Sequence, residues 1–321
     1  MEEAREYSTE QLASLLPRPA ADANKYSRGK ALLVAGCAKY PGAACLAASA
    51  AQRTGAGYTE VLCAPESVAA VRAASPSLVV SSWDELLALE DGRDAAPEGH
   101  AVLDAPERAA ARDAAREAIF PPARAGHPRA YLAGSGFDAR DPQSAALVRA
   151  VLRNAAAPVV VDGGGLACLA EPDAREILRA RFIEGRATIV TPHAGEAARM
   201  AKPLGIPTGD PARLAYLLSL AYGVVAVVKG PVTWISDGDQ VIRMGEGTPA
   251  LAKAGTGDVL AGMTVALAAQ GLGPVDACAL ATALHARAGR AAAERLTEVC
   301  TTAEDVVASL PEAVRSLDPR A

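Results

Sequence analysis

ALAKAGTGDVLAGM, residues 250–263, sets two glycines around a threonine, follows them with a carboxylate, and runs straight into an apolar helical pattern. Gly255, Thr256 and Gly257 at a helix start make a concavity of backbone N–H groups, a hollow suited to phosphate. Asp258 is out of place in a hollow that only binds, because it repels the anion. It fits one in which a carboxylate takes a proton from the group attacking that phosphate. Read alone, the stretch also describes a loop ended by a capping aspartate, since Asp accepts from the first free N–H groups of a helix. The rest of the chain decides between the two.

Outward from this stretch, short β-rich runs recur, each ending in glycine or a polar residue. ALLVAG (31–36) precedes a helix from about Gly42 to Thr54, and YTEVLCA (58–64) precedes PESVAAVRAA, where Pro65 suits a first helical position. AYLAGSG (130–136), PVVVDGGG (158–165), ATIVTPH (187–193) and GVVAVVKG (223–230) repeat the strand pattern, helices following the first three. Continuous apolar strands alternating with helices predict an α/β fold, a mainly parallel sheet covered on both faces. VTWISDGDQVIRMG (232–245) differs: Asp237-Gly238 between two alternating runs predicts a β-hairpin at a sheet edge. Beyond Asp258 the pattern is helical to the end. No linker interrupts the alternation, so residues 25–321 read as one domain after an N-terminal extension over 1–24 with one short helix. Segments 90–100 and 121–129 read as surface loops.

In open α/β sheets ligands bind beyond the carboxyl ends of the strands. The polar and glycine-rich loops fall there: Gly134-Ser135-Gly136, Asp162-Gly163-Gly164-Gly165, Thr191-Pro192-His193, Lys229-Gly230 and Gly255-Thr256-Gly257-Asp258. Five loops converging on one edge favour Asp258 as a catalytic base, with the N–H groups of Gly255, Thr256 and Gly257 as its anion hole.

Composition bounds the partners. A net charge of −5 and 4% aromatic residues favour neither a nucleic-acid surface nor base-stacking platforms. The six cysteines, at 37, 45, 63, 168, 278 and 300, lie far apart without metal-ligand spacing, as expected of reduced cytoplasmic thiols. The charged N-terminus has no signal-peptide core, and no stretch is long and apolar enough to span a bilayer. A cytoplasmic protein without membrane or nucleic-acid partners is expected.

These loops, in this order, resemble the ribokinase-like superfamily, and more closely the ADP- or ATP-dependent NAD(P)H-hydrate dehydratase family. The resemblance is carried by KYSRGKALLVAGCAKYPGAACLAA (25–48), GSG (134–136), VDGGGLA (161–167), TPHAGE (191–196), VVKGPVT (227–233), the opening stretch, and AQGLGPVDACALATALHARAG (269–289). It covers roughly residues 25 to 310. Gly-Thr-Gly-Asp marks only the superfamily; TPHAGE together with PGAA is more specific.

The resemblance implies removal of water from hydrated NADH or NADPH (the S epimer). The C6 hydroxyl is phosphorylated by ADP or ATP, then phosphate leaves and AMP is released when ADP is the donor, with Mg²⁺ expected. By motif position Lys229, Gly230, Pro231, Val232, Thr233 and Gly257 line the nucleotide. Ala43 or Ala44, Gly136, His193 and Asp258 contact the hydrated dinucleotide. Tyr26 and Lys25 fall to the substrate side, and His285 is a packing or helix-surface residue. His100 and His127 lie in loops and carry no signal. The resemblance further implies a homo-oligomer, a tetramer, and an epimerase that is a separate protein or absent, since no such domain fits before residue 25. Departures from the pattern are Gly164 in place of a second acid, Ser135 in place of proline, Pro231 in the nucleotide loop, Thr248-Pro249 for Asn-Gly, and Ala254 for glycine. The metal site is left unassigned, with a magnesium role falling on Asp162 through water or on Glu196. The alternative is a small-molecule kinase of the same fold, for hydroxymethylpyrimidine or hydroxyethylthiazole, which would share Asp258 and the anion hole.

Overall fold

The computed structural model describes residues 4–91 and 113–318. Nine strands form one sheet: β1 Lys30–Val34, β2 Tyr58–Cys63, β3 Val79–Ser82, β4 Arg129–Ala133, β5 Val159–Val161, β6 Thr188–Val190, β7 Val225–Val228, β8 Thr233–Ser236 and β9 Val241–Met244. Their order is β3-β2-β1-β4-β5-β6-β7-β8-β9. Strands β1 to β7 are mutually parallel, and the hairpin β8–β9 closes one edge antiparallel. The order reverses between β1 and β4, the topological switch point at which such sheets leave a crevice.

Alternation within β1 shows why both faces are covered. Ala31 and Leu33 join a core with the helices Pro41–Arg53, Thr256–Ala269 and Pro274–Leu296. Leu32 and Val34 join the core on the other face, with Pro142–Asn154, Pro172–Ile183 and Pro211–Tyr222. Helix Thr256–Ala269 is buried along all of Val259–Ala269, so its sequence is apolar all round. It can press against Pro41–Arg53 because the contact is built from small residues. A Cβ on Gly262 would fall onto the Ala47 carbonyl oxygen, and Ala44, Ala47, Ala48 and Ala51 face the same core.

The sheet, its two helical layers and the edge hairpin agree with the sequence pattern. Strand β3 is an addition. It is four residues long, sits at the other edge, and alternates exposed and buried positions, too little for an apolar run to mark it. Residues before Lys25 carry the expected short helix, Thr9–Ser14, whose Leu12 enters the core; Arg5 joins the backbone of β9. The loop expected over 90–100 lies, from residue 92 on, outside the described residues, as does His100.

Candidate active site

The first element of the site is the start of helix Thr256–Ala269. Its N-cap is Gly255, in the left-handed conformation at φ 92°, so Asp258 stands at the third helical position and does not cap the helix. Thr256 Oγ1 donates to the carbonyls of Leu251 (2.7 Å) and Lys253 (2.9 Å), which ties the preceding loop to the helix. The Thr256 N–H reaches back to Lys253 O at 3.4 Å, a long contact. The N–H groups of Gly257 and Asp258 meet no backbone carbonyl among the described residues and remain open to an anion. The Gly255 N–H likewise meets none, so open N–H groups run from Gly255 to Asp258 around the weakly held Thr256 N–H.

Three strand ends deliver the polar and charged groups. Asp162 follows β5, Thr191 and His193 follow β6, and Lys229 follows β7. Lys229 Nζ donates to Asp162 Oδ1 at 2.8 Å, and Thr191 Oγ1 donates to the same oxygen at 2.6 Å. Burial pulls the Lys229 ammonium down, but Asp162, then Glu196 and Asp258, more than offset it and leave its pKa raised. Asp258 moves the other way. Burial, and then the Asp162 charge, push it up to about 6, with Glu196 adding and the Ser135 hydroxyl and Lys229 opposing. A carboxyl poised there is ionised at neutral pH yet basic enough to accept a hydroxyl proton, as a general base requires.

His193 caps helix Ala194–Ala201. Its Nδ1 accepts from the Gly195 N–H at 3.0 Å, while its own backbone N–H donates to Glu196 Oε2 at 2.9 Å. The ring is more than half exposed and looks into the open edge of the site.

A cavity of about 740 Å³ opens beside these groups. Its wall includes Lys229, Gly230, Pro231, Thr233 and Gly257, five of the six residues expected at a nucleotide; Val232, the sixth, is not part of it. His193 shares that wall, because it pairs directly with Lys229 across β6 and β7. His193 and the nucleotide loop thus stand on different strand ends, as expected, but on adjacent ones that border the same cavity. Gly257 bears on the cavity through its lack of a side chain: an added Cβ would meet Lys229 Nζ at 3.3 Å. The loop over 245–249 closes the cavity and is held by Glu246, which accepts from Arg287 Nε at 3.2 Å and Arg290 Nη2 at 2.6 Å.

At the switch point, Gly136 (φ 71°) packs against helix Pro41–Arg53, where a Cβ would press on Ala43 Cβ and Tyr40 O. Of the two alanines, Ala43 is partly open, whereas the Ala44 methyl group is fully buried against Gly36. Tyr26 and Lys25 are also corrected. Tyr26 stacks on Tyr58 and His127, and Gly29 N–H bonds to Tyr26 O just ahead of β1. That is the amino end of the sheet, opposite the site. His285 was expected only to pack. It is buried, yet it borders the cavity, and burial followed by the Lys229 charge lowers it to about 4, so the ring is neutral.

Sequence reasoning singled out Asp258 and Lys229 but missed Thr191 and His285, and it treated Ser135 only as a departure. Thr191 and His285 act across strands or helices, where spacing along the chain carries no signal.

No three His, Cys, Asp or Glu side chains are arranged to hold a metal among the described residues. Asp162 Oδ1 is already taken twice, Glu196 Oε2 is bound to backbone, and a Cβ at Gly164 would fall on the Phe137 carbonyl oxygen. The turn itself thus forbids a second acid at that position. The donor set does not fit a protein-held Mg²⁺.

A profile of the NAD(P)H-hydrate dehydratase family matches residues 31–312. An ADP-dependent (S)-NAD(P)H-hydrate dehydratase of Xanthomonas campestris is 30% identical over 92% of this chain and 91% of its own length. A bifunctional NAD(P)H-hydrate repair enzyme of Salinibacter ruber is 39% identical over 85% of this chain; the match spans 45%, about half, of that longer protein. The crystal structure of an ADP/ATP-dependent NAD(P)H-hydrate dehydratase of Bacillus subtilis, co-crystallised with ATP/Mg²⁺, superposes with a TM-score of 0.76. It is 25% identical, over 99% of this chain and all of that one. The architecture is the ribokinase-like one that the sequence led us to expect.

Proposed function

The chain belongs to the NAD(P)H-hydrate dehydratase family, and from that membership and the site's geometry we propose that it repairs hydrated NADH and NADPH, acting on the S epimer with ADP as phosphoryl donor. The observation that carries the reading is one carboxylate, Asp258, raised to about 6 beside open helix N–H groups and a partly buried lysine.

Asp258 takes the proton of the C6 hydroxyl as that oxygen attacks the terminal phosphorus of ADP, and the bond to the departing AMP breaks. The N–H groups of Gly257 and Asp258 hold the charge on the transferring group, which in phosphoryl transfer is most of the catalytic work. Lys229 sits where it neutralises nucleotide phosphate, while Asp162 and Thr191 fix its direction. The C6 phosphate ester then loses phosphate with its C–O bond, C5 gives up a proton, and the reduced nicotinamide ring returns. Gly230, Pro231, Val232 and Thr233 form the nucleotide loop; Ala43, Gly136 and His193 border the hydrated dinucleotide. No step is assigned to a protein-held metal.

An S-specific reaction leaves the R epimer behind, so epimer interconversion is assigned to a separate activity. We place the protein in the cytoplasm, a reading supported by six unpaired cysteines. No helix among the described residues is long and apolar enough to cross a membrane. The homo-oligomer, tetrameric by the resemblance, is checked by light scattering. The function is tested by following the return of reduced-nicotinamide absorbance from S-hydrated NADH in the presence of ADP.

A further inference from the structure

Ser135 lies in the turn after β4, between Gly134 (φ 111°) and Gly136 (φ 71°), and is completely buried. The turn is held on all sides. Gly134 N–H bonds to Val34 O at 3.1 Å, Gly36 N–H to Ser135 O at 2.9 Å, and Cys37 N–H to Gly136 O at 3.0 Å. The backbone therefore fixes where the side chain goes. The Ser135 hydroxyl closes no full hydrogen bond to any protein group, an unfavourable state for a buried donor. It lies beside the Asp258 carboxylate and favours its ionised form.

Resting on the reading of Asp258 as the base, we propose that Ser135 is a positioning residue for it: in the free protein as in the complex the hydroxyl turns its proton toward one carboxylate oxygen and leaves the other oxygen aimed at the C6 hydroxyl. The charges that act on it are Asp162 after β5, Lys229 after β7 and Glu196 on helix Ala194–Ala201; His285 is neutral. Asp162 and Glu196 oppose ionisation, Lys229 favours it, and Ser135 adds a neutral donor. Proline cannot supply that donor, so at this position the chain has a means of its own for setting the base.

The test compares wild type with Ser135→Ala and Ser135→Cys. Loss of a hydrogen bond to a charged group is expected to raise the carboxyl by about one pH unit. The acid limb of kcat/KM then moves up, with turnover falling about tenfold near pH 5 and hardly at all near pH 8. Cysteine, a weaker donor, falls between. ADP-induced thermal stabilisation stays unchanged. A readout independent of activity is the ¹³C titration of the Asp258 carboxyl, assigned by its loss in Asp258→Asn, which moves in the same direction. An unmoved limb and an unmoved titration overturn the proposal, as does a raised KM with an unmoved limb, which would make Ser135 a substrate contact instead. A shifted titration in a protein that turns over no hydrated dinucleotide supports the Ser135–Asp258 contact and overturns the function on which it rests.

Discussion

Asp258→Asn separates chemistry from architecture more sharply than any other change, because the structure predicts opposite signs for activity and stability. Asparagine keeps the shape but cannot take a proton, and general-base catalysis contributes about 10²–10⁴-fold, so turnover falls by that order. Stability moves the other way. Burial, then Asp162, raise the carboxyl from 3.8 to about 6. The folded value being the higher, the folded protein holds that proton more tightly. The resulting stabilisation is complete below the unfolded value and is lost as pH rises through about 6. Two units correspond to about 3 kcal/mol, an upper figure because the site opens to water. At pH 8 the wild type bears that cost and the asparagine variant does not, so the variant melts a few degrees higher. Near pH 4 the difference closes. ADP binding survives, since a negative charge facing phosphate has gone. Turnover is read by recovery of reduced-nicotinamide absorbance, and stability by thermal melts at both pH values. Near-normal turnover, or an equal melting temperature at pH 8, would refute the reasoning.

His193→Ala is expected to raise KM for the hydrated dinucleotide while leaving ADP-induced stabilisation nearly intact, apart from about 1 kcal/mol of lost helix cap in the free protein; equal loss of both ligands would assign the ring to the nucleotide. Gly262→Ala drives a methyl group into the Ala47 backbone and should cost about 1–3 kcal/mol, read as a lower melting temperature. A melt like that of wild type would mean the two helices separate more easily than their packing implies.

The sheet was legible because most of its parallel strands are apolar runs, and burial on both faces produces that pattern. Strand β3 was not, being short and half-exposed at an edge. Within the site, Asp258 and the glycines before it were legible because a helix start fixes its own N–H groups locally. The capping alternative could not be settled along the chain, since it turns on whether the helix begins at Thr256 or after Asp258, a difference of backbone dihedrals. Ala43 and Ala44 are adjacent in sequence, and only the packing of Gly36 on Ala44 tells them apart. His285 reads as one more residue of an alanine-rich helix until Lys229 and the cavity are brought to it. Tyr26 and Lys25 were assigned to the wrong end of the sheet because proximity to β1 in sequence does not say which end of the strand they flank.

The central claim is that Asp258 and the helix N–H groups phosphorylate the C6 hydroxyl so that phosphate can leave. The most direct measurement mixes the protein with purified S-hydrated NADH and ADP and quantifies NADH, AMP and inorganic phosphate together. The account predicts one of each per turnover, with ADP supporting the reaction better than ATP and no phosphorylated product accumulating. No return of NADH with either nucleotide would contradict it, as would a stable phosphorylated product, the mark of a small-molecule kinase.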